Sequence, residues 1–195
     1  MLSHLQEIFG SRTKALEVLY LLKDAKPVVR QGFYPHELEK VERFCAKNKL
    51  FIEKSPYKVL LHDLEIFTNK GKIVAPSHPQ GMFLVYISKN HFKALWTCLY
   101  ETKQDHQNTG VLLGYPGCCL EFFVKEFEKG IVNPVHEPTN PWTNLTLRDK
   151  DITLLSHFPC SSDCTKSIEM AKRNFEILKR YDEKLAEQFC KKLSV

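Results

Sequence analysis

The sequence predicts an α+β fold in which helices pack against a small antiparallel sheet and a long helix ends the chain. Apolar residues recur at alternating three- and four-residue steps between 162 and 192, which is the period of a helix with one buried face. Between 59 and 87, runs of strand-forming residues are separated by turn-like segments, as expected for a meander of three or four strands. Apolar residues make up 43% of the chain and charged residues 26%, the balance of a folded domain.

We expect one domain over residues 1–195, because a chain of 195 residues is long enough for one ordinary core. Within it, residues 1–50 form an N-terminal helical part and residues 51–113 form the sheet and a helix. Residues 114–195 hold the helices that carry the cysteine motifs.

Two helices are predicted in the N-terminal part. The first spans residues 3–24, is capped by Ser3, and is broken or kinked at Gly10-Ser11. The second begins at Tyr34-Pro35, since proline suits the first turn of a helix. Cys45 falls on the apolar face of this helix and is interpreted as a small core residue.

In the middle of the chain the pattern changes to strands. Residues 59–67 and 73–75 are predicted to pair across a turn, and the continuous apolar run 82–87 is predicted to be a central strand buried on both faces. A helix follows over 88–103, with a buried stripe predicted from Phe92, Leu95, Trp96 and Leu99. We expect residues 105–110 to form a polar loop and residues 111–113 a short strand.

The net charge of +5 is a mild basic excess, which permits an acidic partner such as nucleic acid but does not indicate one. No apolar run approaches the ~20 residues needed to span a bilayer, and the N-terminus has no secretion leader. We therefore expect no membrane partner and a cytoplasmic protein. In that reducing compartment the seven cysteines are expected to be core residues, metal ligands or catalytic thiols rather than disulfides.

The first of two cysteine motifs is Gly114-Tyr115-Pro116-Gly117-Cys118-Cys119, which opens a helix predicted over 116–129. Its two glycines allow a tight turn before the helix, and Gly130 ends the helix. At ~100° per residue, Cys119 lies on the flank of the buried face and Cys118 nearly opposite that face. The two sulfurs are therefore expected to point in different directions unless the first turn is irregular.

The second motif runs from His157 to Cys164 and opens the long last helix. Ser161 is predicted to be the N-cap, so that Cys160 precedes the cap and Cys164 lies inside the first turn. Helix N-termini stabilise negative charge, and a thiolate at such a position has a lowered pKa. Four cysteines at two helix beginnings therefore predict a thiolate site, provided that the two helix beginnings meet.

We predict that four cysteines hold an iron–sulfur cluster or zinc, with His157 as a further ligand or as a residue that orients one: Cys118, Cys119, Cys160 and Cys164. Their varied spacing slightly favours an iron–sulfur cluster. The irregular segment 131–156 is long for a connection, and we expect it to cover the site. Four residues are candidates for contact with a substrate, namely Trp142, Arg148, His136 and Tyr115.

Other interpretations of the same residues stay open. A cysteine of low pKa with His157 or His136 as base would make a metal-free cysteine-dependent enzyme, and two thiols could instead cycle through a disulfide. The cysteines could also be structural residues of an RNA- or protein-binding module, or hold zinc that only staples the fold. The apolar stripe of the last helix could form the seam of a homo-oligomer.

At the two motifs the chain resembles a small archaeal protein family catalogued only as a domain of unknown function. The resemblance rests on Gly-Tyr-Pro-x-Cys-Cys at 114–119 and His-x-Pro-Cys-Ser-x-x-Cys-x-x-Ser at 157–167, and the similarity extends over most of the chain. It implies an archaeal, cytoplasmic origin and favours a single site that contains both motifs. It brings no activity and assigns no role to any residue.

Overall fold

The computed structural model of the chain describes residues 1–61, 71–131, 133–134, 136, 140–144 and 154–193. These residues contain eight α-helices and a four-stranded antiparallel sheet, so the predicted α+β class is confirmed. They separate into two compact units, one comprising Met1–Ala25 with Pro116–Val195 and the other Lys26–Tyr115. The expectation of a single domain stays a prediction, and the two units are described separately.

The sheet forms the centre of the 26–115 unit. Its strands are β1 (Val28–Phe33), β2 (Phe51–Leu61), β3 (Gly71–Val74) and β4 (Met82–Ser88), in the spatial order β1-β4-β2-β3 with each neighbouring pair antiparallel. The predicted central strand is confirmed, because β4 lies between β1 and β2 and its residues 85–87 are fully buried. The predicted strand 59–67 begins earlier, at Phe51, and its part beyond residue 61 lies outside the described residues.

One face of this sheet carries a partly buried ion pair that joins it to a helix. Helix α4 (His91–Thr102) presents Glu101 to β1 and β4. The Arg30 guanidinium binds both carboxylate oxygens of Glu101, and the Tyr86 hydroxyl donates to Glu101 at 3.0 Å. Since side chains alternate between the two faces of a strand, α4 lies over the face that carries Arg30 and Tyr86.

Two more helices belong to the 26–115 unit, α3 (Pro35–Lys47) and α5 (His106–Leu112). Pro35 occupies the first turn of α3 as predicted. Helix α3 contacts β2 and β4, and Cys45 on its inner face is fully buried, which confirms Cys45 as a core residue.

The other unit has helices and no strand among its described residues. It contains α1 (Leu2–Phe9), α2 (Arg12–Leu22), α6 (Gly117–Glu128), α7 (Thr165–Tyr181) and α8 (Glu183–Leu193), with one 3-10 turn (Pro141–Thr143). None of the helices in the described part of the chain has the length and apolar character that crossing a membrane requires.

The predicted N-terminal helix is broken where expected. Gly10 ends α1 with a φ of 88°, and the Ser11 hydroxyl caps α2 by accepting from the Lys14 backbone N–H. The predicted cap at Ser3 is wrong, because Ser3 lies inside α1 and Met1 precedes the helix.

The predicted last helix is two helices. Asp182 separates α7 from α8 and caps α8, its side chain accepting from the Leu185 backbone N–H at 3.0 Å. The apolar stripe of both helices is buried within the chain, at Ala171, Phe175, Leu178, Leu185 and Phe189.

Three predictions in the 26–115 unit are wrong. The apolar stripe of α4 does not face the core, since Phe92, Trp96 and Leu99 are exposed; the sheet lies instead against small residues that permit close approach, Ala94, Thr97 and Cys98. Residues 106–112 form α5, where a loop and a strand were predicted over 105–113, because the Asp105 carboxylate caps the helix. Strand β1 was not expected, since Arg30, Gln31 and Gly32 break its apolar pattern.

Candidate metal centre

The chain reaches the first cysteine motif through a turn that requires glycine. Gly114 has a φ of +80°, and a Cβ at this position would lie 2.7 Å from Pro27 Cδ. Gly117, the first residue of α6, could be replaced by a residue with a side chain. A Cβ at this position would have no atom within 4 Å. Of the two glycines expected to shape the turn, only Gly114 is needed for its conformation.

Both cysteines of the adjacent pair contribute to one cluster. Cys118 and Cys119 are the second and third residues of α6, with Pro116 at the N-cap, and their sulfurs are 3.9 Å apart. The expectation that they point in different directions is wrong. Side chains tilt toward the N-terminus of a helix, and at its first turn no preceding turn separates them, so both can reach past the helix end.

The second motif begins its helix one turn later than predicted. Cys164, rather than Ser161, is the N-cap of α7, and its backbone N–H donates to the Ser161 carbonyl to close a turn. This turn returns the chain on itself between Cys160 and Cys164. As a result the two sulfurs of this motif lie on the same side, beside the first turn of α6.

Packing around the sulfurs holds the two motifs together. Phe158, two residues before Cys160, stacks on Phe123 of α6 with ring planes 4° apart and centroids 5.9 Å apart. On the other side, the buried Asn174 side chain of α7 donates to the Leu154 carbonyl at 2.9 Å. The segment before Cys160 is therefore fixed to both helices whose N-termini carry the cysteines.

The 3-10 turn gives a second anchor to this segment. The Asn140 backbone N–H donates to the Ser162 hydroxyl at 2.9 Å, and the Thr143 hydroxyl donates to the Ser162 carbonyl. Trp142 packs edge-on against Phe175 of α7, with ring centroids 5.5 Å apart. Residues 140–144 thus cover the beginning of α7 next to the cluster.

The four predicted cysteine sulfurs all lie within 4.8 Å of one another. The separation is 3.9 Å for Cys118 and Cys119, 3.8 Å for Cys118 and Cys164, and 3.6 Å for Cys119 and Cys164. Cys119 and Cys164 are buried, whereas Cys118 and Cys160 are partly exposed. A group of four thiols at this spacing is compatible with metal binding.

A serine and a histidine stand behind the sulfurs. Ser167 is fully buried in the first turn of α7, and its hydroxyl oxygen is 3.3 Å from the Cys119 sulfur. The same oxygen is 2.8 Å from Nε2 of the buried His157. His157 therefore stands outside the group of four cysteines, and the Ser167 hydroxyl connects its ring to the Cys119 sulfur. Ser167 had no role in the sequence-based prediction, although it stands three residues after Cys164, where a hydroxyl faces the helix beginning.

The cysteine thiols have different pKa values because their surroundings differ. Burial raises the pKa of Cys119 far above the ordinary value and raises the pKa of Cys160 to about 11. Burial also acts to raise the pKa of Cys164, but hydrogen bonds from Ser167, Cys119 and Cys160 outweigh it and lower that pKa to about 7. Without a metal the cluster therefore holds its first negative charge on Cys164, at the N-terminus of α7.

Three of the four residues expected to contact a substrate lie in the described part of the chain, and each packs against a different neighbour. Trp142 is packed on α7, and His136 stacks on Phe122 with ring centroids 4.9 Å apart. Tyr115 packs in the 26–115 unit, with Lys26 Nζ 4.9 Å from its ring centroid, and Arg148 lies outside the described residues. Substrate contact by these residues stays a prediction.

Residues 96–191 match the family described as "Protein of unknown function (DUF483)", so the resemblance to a family of unknown function is confirmed. The matched range contains both cysteine motifs. No curated protein and no solved structure matches the chain.

Proposed function

We propose that the chain binds one zinc ion through the thiolates of four cysteines and that this ion holds the N-termini of α6 and α7 together. The ligands are Cys118, Cys119, Cys160 and Cys164. The observation that carries the proposal is the spacing of the sulfurs. In a tetrahedral site with Zn–S bonds of ~2.3 Å, ligand sulfurs lie about 3.8 Å apart, and the three pairs among Cys118, Cys119 and Cys164 are separated by 3.6 to 3.9 Å.

This spacing favours a single ion over the iron–sulfur cluster that the sequence slightly favoured. In a four-iron cluster each thiolate binds a different iron atom, so the sulfurs stand farther apart than when they share one ion. Sulfurs that are mutually within 4.8 Å leave too little space between them for such a cluster. Zinc fits the donor set, since four thiolates are a common ligand set for structural zinc.

The proposed role of the ion is structural. Four cysteine ligands fill all four positions of a tetrahedral site, whereas catalytic zinc keeps one position open for water or substrate. The helix N-termini support this role, because the net negative charge of zinc with four thiolates is stabilised by the positive ends of α6 and α7. The proposal includes a cytoplasmic location, where the cysteines stay reduced.

A second candidate function is a dithiol that cycles through a disulfide. It is favoured by one contact, the 3.6 Å between the sulfurs of Cys119 and Cys164, together with the lowered pKa of Cys164. The zinc content of the purified protein distinguishes the two candidate functions, since four cysteines bound to zinc leave no free thiolate to attack a disulfide.

Metal analysis of cysteine variants tests the proposal. We expect about one zinc per chain in protein purified with a reductant, and less than about one fifth of that in Cys119→Ser or Cys164→Ser. The matched control is Cys190→Ser, which replaces an exposed cysteine of α8 outside the cluster and is expected to keep full zinc.

Thermal unfolding separates a structural ion from an incidental one. Removing zinc by chelation is expected to lower the unfolding temperature by roughly 10 °C or more, because the ion binds the folded chain and not the unfolded one. The proposal is wrong if the purified protein holds no stoichiometric metal. It is also wrong if Cys119→Ser retains zinc as Cys190→Ser does.

A further inference from the structure

The α4 helix presents its large apolar side chains to solvent. The exposed fraction is 67% for Phe92, 47% for Trp96 and 40% for Leu99. These residues occupy one side of the helix, opposite the small residues that pack on the sheet. Contiguous exposed apolar patches of this kind mark interaction sites more often than isolated exposed residues do.

Neighbouring rings extend this side into a continuous aromatic face. Phe51 at the start of β2 contacts His91 with centroids 5.4 Å apart, and His91 contacts Phe92 at 5.7 Å. Trp96 contacts Tyr100, one turn further along α4, at 5.7 Å. We call these five residues the aromatic face of α4. All five rings are wholly or partly exposed.

Exposed lysines lie at both ends of the aromatic face. Lys89 and Lys93 are exposed at its beginning, and Lys103 is exposed where α4 ends. Glu101 is the single acid between residues 89 and 103. It points away from the face, bound to Arg30.

One carboxylate contacts the aromatic face, since Glu53 lies 3.4 Å from His91 Nε2. The surrounding unit is nevertheless basic. Residues 26–115 contain 13 lysines and arginines against 8 aspartates and glutamates, a difference of +5. This equals the net charge of the whole chain, so the remaining residues are neutral on balance. An anionic partner is therefore favoured at this unit.

We infer that the aromatic face of α4 binds single-stranded nucleic acid. Bases stack on the exposed rings, chiefly Phe92 and Trp96, and the flanking lysines contact the phosphates. A protein partner fits less well, because protein interfaces are depleted of lysine. A lipid surface also fits less well, since Leu99 is the single large aliphatic side chain that α4 exposes beside the aromatic face. This inference goes beyond the proposed zinc site and does not depend on it.

Fluorescence anisotropy with a labelled 12-nucleotide oligouridylate tests the inference on the full chain as purified. Trp96→Ala is expected to weaken binding at least about fivefold, because it removes one stacking platform. Its control is Ile73→Ala, which removes an exposed apolar side chain of β3 in the same unit and is expected to leave the affinity unchanged. Zinc content is expected to stay at the wild-type level in both variants.

The salt dependence tests the lysines separately. Replacing Lys89 and Lys93 by alanine is expected to reduce the slope of log affinity against log salt by about 1.4, the value for two lost contacts to a single strand. Replacing Lys125 and Lys166, exposed lysines of the other unit, removes the same charge and is expected to leave the slope unchanged.

Four outcomes overturn the inference. The first is no binding of the oligonucleotide at 50 mM salt, and the second is binding that Trp96→Ala does not weaken. The third is a dimer of the wild-type chain in sedimentation that Trp96→Ala dissociates, which assigns the face to a second copy. The fourth is binding to vesicles with 30% phosphatidylserine but not to the oligonucleotide, which assigns it to a membrane surface.

Discussion

Ser167→Ala is expected to weaken zinc binding without touching a ligand. A zinc-bound thiolate has no proton to donate, so the Ser167 hydroxyl must donate to the Cys119 sulfur, 3.3 Å away. The hydroxyl then accepts from Nε2–H of His157 at 2.8 Å, which fixes the histidine tautomer. Alanine keeps the backbone and most of the volume at this fully buried position while it removes the donor.

The size of the effect follows from the charge of the acceptor. A hydrogen bond to a charged group contributes about 1.5–3 kcal/mol, which corresponds to a loss of roughly 10- to 150-fold in zinc affinity. Alanine also has a higher helix propensity than serine, which stabilises α7 by a few tenths of a kcal/mol. That gain is present with and without zinc, so it cancels in the affinity and leaves the loss of the donor visible.

Competition with a chromophoric zinc chelator at pH 7.5, under reductant, measures this affinity. The matched control is Ser161→Ala, which makes the same chemical change at an exposed position in the turn between Cys160 and Cys164. We expect the control to stay within about threefold of wild type. If Ser167→Ala also stays within threefold, Ser167 does not support the Cys119 thiolate and the assigned role is wrong.

Three further predictions concern stability and protons. Gly114→Ala is expected to destabilise the chain by about 1–3 kcal/mol in urea unfolding, since its φ is +80°, whereas Gly117→Ala is expected to be neutral or slightly stabilising; equal effects would contradict the glycine assignment. Arg30→Met is expected to cost about 1–2 kcal/mol, because the pair is only partly buried and Glu101 keeps its hydrogen bond from Tyr86. Adding Glu101→Leu is expected to recover part of that loss, and additive losses would contradict a direct coupling of the two side chains. Calorimetry in buffers of different ionisation enthalpy is expected to show fewer than four protons released per zinc at pH 8, because the Cys164 pKa of about 7 leaves that thiol already ionised. The number of protons released is expected to rise as the pH falls below 7. Release of four protons at pH 8 would contradict the lowered pKa of Cys164.

The cysteine motifs could be located from the sequence because their local signals are strong. Proline before Cys118 and the small polar residues before Cys164 both indicate helix beginnings, and both helices begin within a few residues of the predicted positions. That the two beginnings meet could not be derived, since it depends on contacts far apart in sequence. The stack of Phe158 on Phe123 is one of these contacts, and no periodicity predicts it.

The direction of the neighbouring sulfurs was mispredicted for a geometric reason. Counting ~100° per residue assumes that side chains leave the helix along its flank, which fails in the first turn of α6. Ser167 is the last residue of the second motif, but the motif alone gives this serine no role. Its meaning comes only from the nearness of Cys119 and His157.

Helix α4 shows the limit of hydrophobic periodicity. The stripe from Phe92 to Leu99 is real, but periodicity cannot tell a core face from a docking face. The sheet is approached by Ala94 and Cys98, whose small size lets helix and strands pack closely, and the large residues are left outside. The most apolar side of α4 is therefore exposed, where it can meet a partner.

X-ray absorption at the zinc edge of the purified chain tests the tetrathiolate site most directly. We predict four sulfur atoms at ~2.3 Å from one zinc, with no nitrogen neighbour. A nitrogen ligand in this spectrum, which would make His157 a zinc ligand, contradicts the site. Iron in the purified chain whose own absorption edge shows an iron–iron distance also contradicts it.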